Sequence, residues 1–415
     1  MPPERWLILA DDLTGAADTA IAFARSGWMA SVAWGDECVD DAVLALDAGS
    51  RGLDAGSAAA RHGMLMRAHL GGRSALFKKI DSTLRGQPAA ELAATLQALR
   101  RQGQRGLAVV APAFPATGRT TEDGCIRLHG QALEETSLWA REHSYSTADL
   151  RAVLAGEGLA VRHAPLDAVR AGPCVMTRMT VTAAEAGADA LVCDATEEAD
   201  LAIIARVAAP RGVRLLWVGA AGLARALAEA SPGTAAPSGI RPRVEGGILV
   251  VVGSLAEVSR QGVACLAADH SVLPLTVAPA MLLSGPDDAA WRATADLAAR
   301  TIAARRDVLV AITADHGAAP VEKLALGLAA LLRPAAARAG GVIATGGETA
   351  RALCDACGVT GIRMLAELEP GVPLGLAQGG RALPIVTKAG AFGDAGTLGR
   401  CLAYLRGLRD PKGPS

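Results

Sequence analysis

Short apolar runs alternate with alanine-rich stretches along almost the whole chain. In the first half, Trp6–Ala10, Leu76–Lys79, Leu107–Val110, Leu191–Cys193 and Leu215–Val218 predict buried strands. Between them, Ala16–Arg25, Ala89–Arg100, Leu201–Ala208 and Ala221–Ala230 predict helices. The alternation resumes after residue 243, with strands predicted at Ile248–Val252, Val308–Ile312, Val342–Thr345 and Leu383–Val386. The accompanying helices are Ala256–Ala268, Ala289–Ala304, Val321–Leu332, Thr349–Ala356 and Thr397–Arg406. Strand–helix–strand alternation builds parallel sheets with right-handed crossovers. Between the halves, the stretch SPGTAAPSG sustains neither element. The expectation is an α/β protein of two domains, each a largely parallel sheet flanked by helices. Its divisions are 1–232, a linker at 233–243, a second domain at 244–409 and a frayed tail at 410–415.

Composition narrows this. Hydrophobic residues make up 51% of the 415, enough for two cores, but aromatics are only 3%, so Ala, Val and Leu must fill them. The net charge of -1 and the lack of a basic block argue against nucleic acid as a partner. An anionic ligand must then be held by a few placed groups. The run Trp6–Ala10 stops at two aspartates, so it is neither a signal peptide nor a membrane span, and a cytoplasmic location is expected. Eight scattered cysteines read as buried thiols, with a zinc site at the Cys354–Cys357 pair the alternative.

Ligands of open α/β sheets bind at the carboxyl ends of strands. Asp11 and Asp12 follow the first strand directly. Adjacent carboxylates there ask for a cation or a substrate hydroxyl, although either one could instead cap the next helix. Lys78, Lys79, Asp81 and Arg85 crowd the end of another strand, and arginine can grip a carboxylate through two parallel hydrogen bonds. The segment Ala111–Thr121 reads equally as a rigid binding wall or as a connection. In the second half, glycine turns follow strands at Gly253-Ser254, at Gly346-Gly347-Glu348-Thr349 and at Lys388–Asp394. Such turns bring backbone N–H groups and a helix N-terminus close to phosphate. Neither a P-loop nor a dinucleotide fingerprint is present.

With these residues in hand, the chain resembles the four-carbon acid sugar kinase family. The likeness rests on ADDLTGAADTA, KKIDSTLRG, PAFPATGRTT, GGET, LEPGVPLG and KAGAFGD, in that order and over nearly the full length. It implies ATP-dependent phosphorylation of acids such as threonate, erythronate or 3-oxo-tetronate, with the active site in the interdomain cleft. Asp11, Lys79 and Arg85 would bind the acid, and Asp12, then Asp81, would orient or deprotonate its hydroxyl. Ser254, Gly346, Gly347, Glu348, Thr349 and Gly390 would bind ATP, with a magnesium ion bridging its phosphates. The chain departs from many relatives at Ala140–Asp149, which lacks their Pro- and His-rich segment, and at Asp394, where glycine is frequent.

Two other readings compete. A sugar-acid sensor would need no glycine turns for a nucleotide. An aspartyl phosphatase wants a second carboxylate two residues after Asp11, where Leu13 stands. The expected partners are the sugar acid and ATP, without a membrane, and the alanine-rich surface allows a homodimer.

Overall fold

The computed structural model describes residues 4–35, 39–71, 74–139, 144–234, 240–313 and 320–409. Expectations for the tail at 410–415 and for part of the linker, 235–239, fall outside them. The chain forms two compact units, Met1–Ala30 with Asp40–Ala235, and Ser31–Val39 with Ala236–Ser415. In chain order the first nine strands are β1 Arg5–Ala10, β2 Ala30–Ala33, β3 Val43–Asp47, β4 Ser74–Lys79, β5 Arg105–Ala111, β6 Arg119–Glu122, β7 Cys125–Leu128, β8 Gln131–Ala132 and β9 Val161–Ala164. The rest are β10 Ala190–Cys193, β11 Val213–Gly219, β12 Ile248–Val252, β13 Val272–Val277, β14 Asp307–Ile312, β15 Gly341–Thr345, β16 Gly361–Glu369, β17 Val372–Gln378 and β18 Pro384–Lys388.

The first unit holds a parallel sheet in the order β3-β1-β4-β11-β5-β10-β9. β1 is buried from Trp6 onward, as a strand covered on both faces must be. Helix α1 (Leu13–Arg25) buries Ala16, Ala17, Ala20 and Ala22 together with Ile21 and Phe23, and Phe23 tilts against Trp6 at 4.7 Å between centroids. Helices α2 (Ala55–His69) and α3 (Pro88–Arg101) pack on each other. A small antiparallel sheet, β6-β7-β8, leaves the main one just after the Pro112–Phe114 segment.

The second unit orders its strands β13-β14-β12-β15-β18-β17-β16-β2. The first five pair in parallel and the remainder antiparallel. The motif LEPGVPLG is thus the turn of a hairpin, β16 into β17. Strand β2 was not expected at all. It pairs with β16 through Ser31, Val32 and Ala33, so residues 31–39 group with the second unit despite their place in the sequence. Strand β13 carries Pro274 in its interior, which is tolerated because β13 is an edge strand bonded only to β14. Among the described residues no helix is long and apolar enough to cross a membrane.

Candidate functional site

In the first unit, the loops after β1, β3 and β4 meet at their carboxyl ends. Asp12 caps α1: its Oδ1 accepts from Gly15 N at 2.8 Å, and its Oδ2 accepts from Thr14 Oγ1 at 2.8 Å. The capping role and a site position therefore coincide in one residue. A Cβ on Gly15 would lie 2.7 Å from Asp12 Oδ1 and 3.1 Å from Lys79 Nζ, so glycine is what lets the β4 lysine approach the carboxylate. Lys79 is itself buried and donates to Ile80 O at 3.0 Å.

The residue that joins these loops is Arg51, which the sequence reading passed over. Its Nε and Nη2 donate to the two oxygens of Asp11 at 2.7 and 2.8 Å, and its Nη1 donates to Asp12 Oδ2 at 2.8 Å. Nη2 also lies 3.7 Å from Asp81 Oδ2. One guanidinium thus answers three buried carboxylates. A signal for it existed: VLALDAGSRG is an apolar run ending in polar residues, the same pattern that marked the other strand ends.

Asp81 accepts from Thr83 N at 2.9 Å and from the Thr83 hydroxyl, while its Oδ2 takes Arg85 Nη2 at 2.8 Å. Burial opposes the charge on Asp81, but Arg85 and Arg51 hold its carboxyl well below the usual range. For Asp12 too, burial is overcome by Arg51 and Lys79, aided by the Thr14 and Gly15 hydrogen bonds, and its pKa is lowered. Gly86, at φ 77°, closes the loop: a Cβ there would sit 3.1 Å from Asp11 Oδ2 and 3.5 Å from Arg51 Cα. Arg119, half-buried on β6, lies within electrostatic reach of Asp81, Arg85 and Asp18. The PAFPATGRTT segment therefore turns back toward the same loops. Of the divergent stretch 140–149, residues 140–143 lie outside the described ones, while the Tyr145 hydroxyl accepts from Ala89 N at the start of α3.

In the second unit, the turns after β12, β15 and β18 converge. A Cβ on Gly253 would fall 1.9 Å from Thr349 Oγ1, and one on Gly390 would fall 1.9 Å from Ser254 Oγ. Gly346, at φ 90°, precedes the helix Gly347–Ala356 and would place a Cβ 3.8 Å from Thr349 Oγ1 and 3.9 Å from Ser254 N. Ser254, Gly346, Thr349 and Gly390 are thus brought together, with Gly347 and Glu348 in the helix's first turn. Lys388 holds the third turn from beneath. Its Nζ donates to the carbonyls of Ala389, Gly390 and Phe392 at 3.1, 3.2 and 2.7 Å. Burial pushes this ammonium down to about 8, against the smaller opposing pull of Cys401 and the Glu369 carboxylate.

Asp394 belongs to the scaffold. Its Oδ1 accepts from Gly396 N at 2.7 Å and from Arg400 Nη2 at 2.9 Å, at the start of the helix Thr397–Arg409. Arg400 in turn pairs with Glu369 of the LEPG turn, whose Gly371 has room for no Cβ because Phe392 would be 2.2 Å away. Two sequence motifs, LEPGVPLG and KAGAFGD, are therefore one structural brace. Asp394→Ala is expected to lower Tm by about 2–4 °C through the lost helix-start contacts, which a thermal melt checks. Among the described residues no group of three or more His, Cys, Asp or Glu side chains is arranged to hold a metal, and the seven described cysteines are free thiols.

Comparison with known proteins matches both units. Residues 6–227 fit the model of a sugar-binding N-terminal domain, and residues 249–398 that of a nucleotide-binding C-terminal domain. The chain is 42% identical to D-threonate kinase of Cupriavidus necator over 404 residues, covering 95% of this chain and 96% of that one. It is 36% identical to D-threonate kinase of Bordetella bronchiseptica, covering 98% of each, and 29% identical to D-erythronate kinase of Heliobacterium modesticaldum, covering 96% of each. A solved Salmonella typhimurium structure shares the fold at a TM-score of 0.77 and 20% identity, over 96% of this chain and 98% of the other. Two matched domains in the expected order, with relatives of this identity spanning both, show that the chain belongs to the four-carbon acid sugar kinase family.

Proposed function

We propose that this chain is an ATP-dependent kinase that phosphorylates a hydroxyl of a four-carbon sugar acid, D-threonate first among them. The observation that carries it is the pair of built sites: a charged carboxylate–guanidinium cluster in the unit that matches a sugar-binding domain, and three converging glycine turns in the unit that matches a nucleotide-binding domain. D-threonate comes first because two relatives of that name reach 42% and 36% identity and a third 30%, against 29% for the D-erythronate kinase and 31% for a 3-oxo-tetronate kinase of Methylobacterium radiotolerans.

In this reading the acid's carboxylate takes Arg85 and Lys79, and its hydroxyl is presented to Asp12. Asp12 holds its charge too firmly to be a strong base, so its part is to orient the hydroxyl and accept a proton late. Phosphoryl transfer requires little more, since its transition state is loose and depends on positioning and charge neutralisation. The turns at Ser254, Gly346–Thr349 and Gly390 have the backbone N–H groups and hydroxyls that suit phosphate oxygens. A magnesium ion would travel with the nucleotide, because the phosphates themselves supply much of its preferred oxygen shell. Transfer requires the hydroxyl and the γ-phosphoryl group to meet, and the expected interdomain cleft belongs to this proposal. So do the homodimer and the cytoplasmic location.

A coupled assay of ADP release against D-threonate, D-erythronate and 3-oxo-tetronate tests the substrate class. Activity on none of them, with ATP still protecting against thermal unfolding, would refute it. Asp12→Asn should lower kcat by about 10²-fold with little change in KM for ATP. Near wild-type turnover would remove Asp12 from the chemistry.

A further inference from the structure

Beneath the sugar-acid cluster lies a second polar group that the reaction does not touch. Lys78 Nζ pairs with Glu91 Oε2 at 2.7 Å, and Ser50 Oγ donates to Glu91 Oε1 at 2.5 Å. His62 Nε2 stands 3.1 Å from Ser50 Oγ and 3.4 Å from Glu91 Oε1. None of the four is more than 1% exposed. They come from four segments: β4, α3, the turn after β3, and α2.

A fully buried ion pair is poor evidence for stability, because desolvation cancels most of its attraction and apolar residues of the same volume serve as well or better. Here the group also leaves His62 Nδ1 buried with no hydrogen-bond partner, a further cost. What it does provide is a fixed point. Lys78 also donates to Lys79 O at 2.7 Å, and Glu91 sits in the first turn of α3, where the helix N-terminus favours its charge. Ser50, tied to Glu91 by its side chain, donates its backbone N–H to Asp11 O at 2.9 Å, and Arg51 N does the same at 3.2 Å. The residue that this turn delivers is Arg51.

We propose that the buried Lys78–Glu91–Ser50–His62 group positions Arg51: it locks the turn that aims one guanidinium at Asp11, Asp12 and Asp81, without contact with either substrate. This rests on the kinase reading above. The group is an extension of the site into the core, and its members are positioning residues. Asp12 faces Arg51, Lys79 and the Thr14 and Gly15 hydrogen bonds; Asp81 faces Arg85, Arg51, Lys79 and Arg119. Arg51 bonds Asp11 and Asp12 and lies 3.7 Å from Asp81, so one cation serves all three carboxylates of the cluster. A loosened turn therefore weakens a counter-charge common to Asp12 and Asp81, raises both carboxyl pKa values, and moves the acid limb of the pH profile to higher pH.

The test is a double-mutant cycle on the full chain with ATP and D-threonate, or whichever of the three acids the wild type phosphorylates. Ser50→Ala is the decisive variant, because it cuts the tether while leaving the Lys78–Glu91 pair in place. Glu91→Gln is the harsher companion and is read only if it folds. Ser50→Ala should lower kcat/KM for the acid roughly tenfold, shift the acid limb upward, and leave KM for ATP unchanged. Combined with Arg51→Lys, it should cost no more than Arg51→Lys alone. Independent, multiplicative losses in the double variant, or an unmoved acid limb, would overturn the positioning role while leaving the kinase reading intact. A wild type inactive on every acid would overturn both.

Discussion

Arg51→Ala is expected to lower kcat/KM for the sugar acid by at least about 10²-fold and to destabilise the fold by about 3–5 kcal/mol. The reason is arithmetic of charge. The variant leaves Asp11, Asp12 and Asp81 close together and buried, with Lys79 and Arg85 beside them and Arg119 within reach of Asp81 but without the guanidinium that bonds Asp11 and Asp12. Some of them must then take up protons or draw in water, and either response disorders the site. Arg51→Lys should recover part of the stability and little of the activity, because an ammonium cannot make the two parallel bonds to Asp11 and still reach Asp12. The sign of the pH effect follows. The folded-state pKa values of Asp12 and Asp81 are lowered, so their stabilisation is complete above the ordinary Asp pKa of about 3.9 and is lost as pH falls through the lower folded values. Removing Arg51 brings that loss to higher pH. Chemical denaturation across pH, beside steady-state kinetics, checks both halves. Wild-type kinetics in a folded Arg51→Ala protein would show the cluster to be scaffold.

The second large effect is in the other unit. Gly390→Ala places a methyl group 1.9 Å from Ser254 Oγ and 2.7 Å from Ser254 Cβ. Rotating the hydroxyl relieves the first clash but not the second, so the turn itself must move, at a cost of about 1–3 kcal/mol. KM for ATP should rise by roughly 10- to 100-fold while KM for the acid stays within about twofold. The asymmetry is the informative part. Equal changes in both KM values would mean that the turn does not serve the nucleotide.

Much of this was legible in the sequence because the physics was local. Buried parallel strands must be apolar on both faces, so runs such as Ile248–Val252 stand out, and their polar ends mark the site. Asp11, Asp12, Lys79, Asp81 and Arg85 meet in the structure because they follow strands that are neighbours in one sheet. What escaped was non-local. Arg51 lies past a strand that was not recognised, and its importance depends on three carboxylates from two other loops. Strand β2 lies within the first unit's stretch of sequence yet pairs with β16, some 330 residues on, a partnership that no pattern inside residues 30–33 could declare. Asp394 looked like a departure at the nucleotide site and is a helix-start residue, which only its bonds to Gly396 and Arg400 reveal. The pairing of Lys78 with Glu91 was equally hidden, since the two stand 13 residues apart on a strand and a helix.

As a four-carbon sugar-acid kinase, this chain moves the terminal phosphoryl group of ATP onto a hydroxyl of the acid. Phosphorus NMR of a mixture of the protein, ATP, magnesium and D-threonate measures that transfer directly. The predicted result is loss of the γ-phosphate resonance, an equal gain of ADP and of a new phosphomonoester, and no inorganic phosphate. A spectrum in which ATP stays intact with D-threonate, D-erythronate and 3-oxo-tetronate alike, or in which inorganic phosphate is the only product, would contradict it.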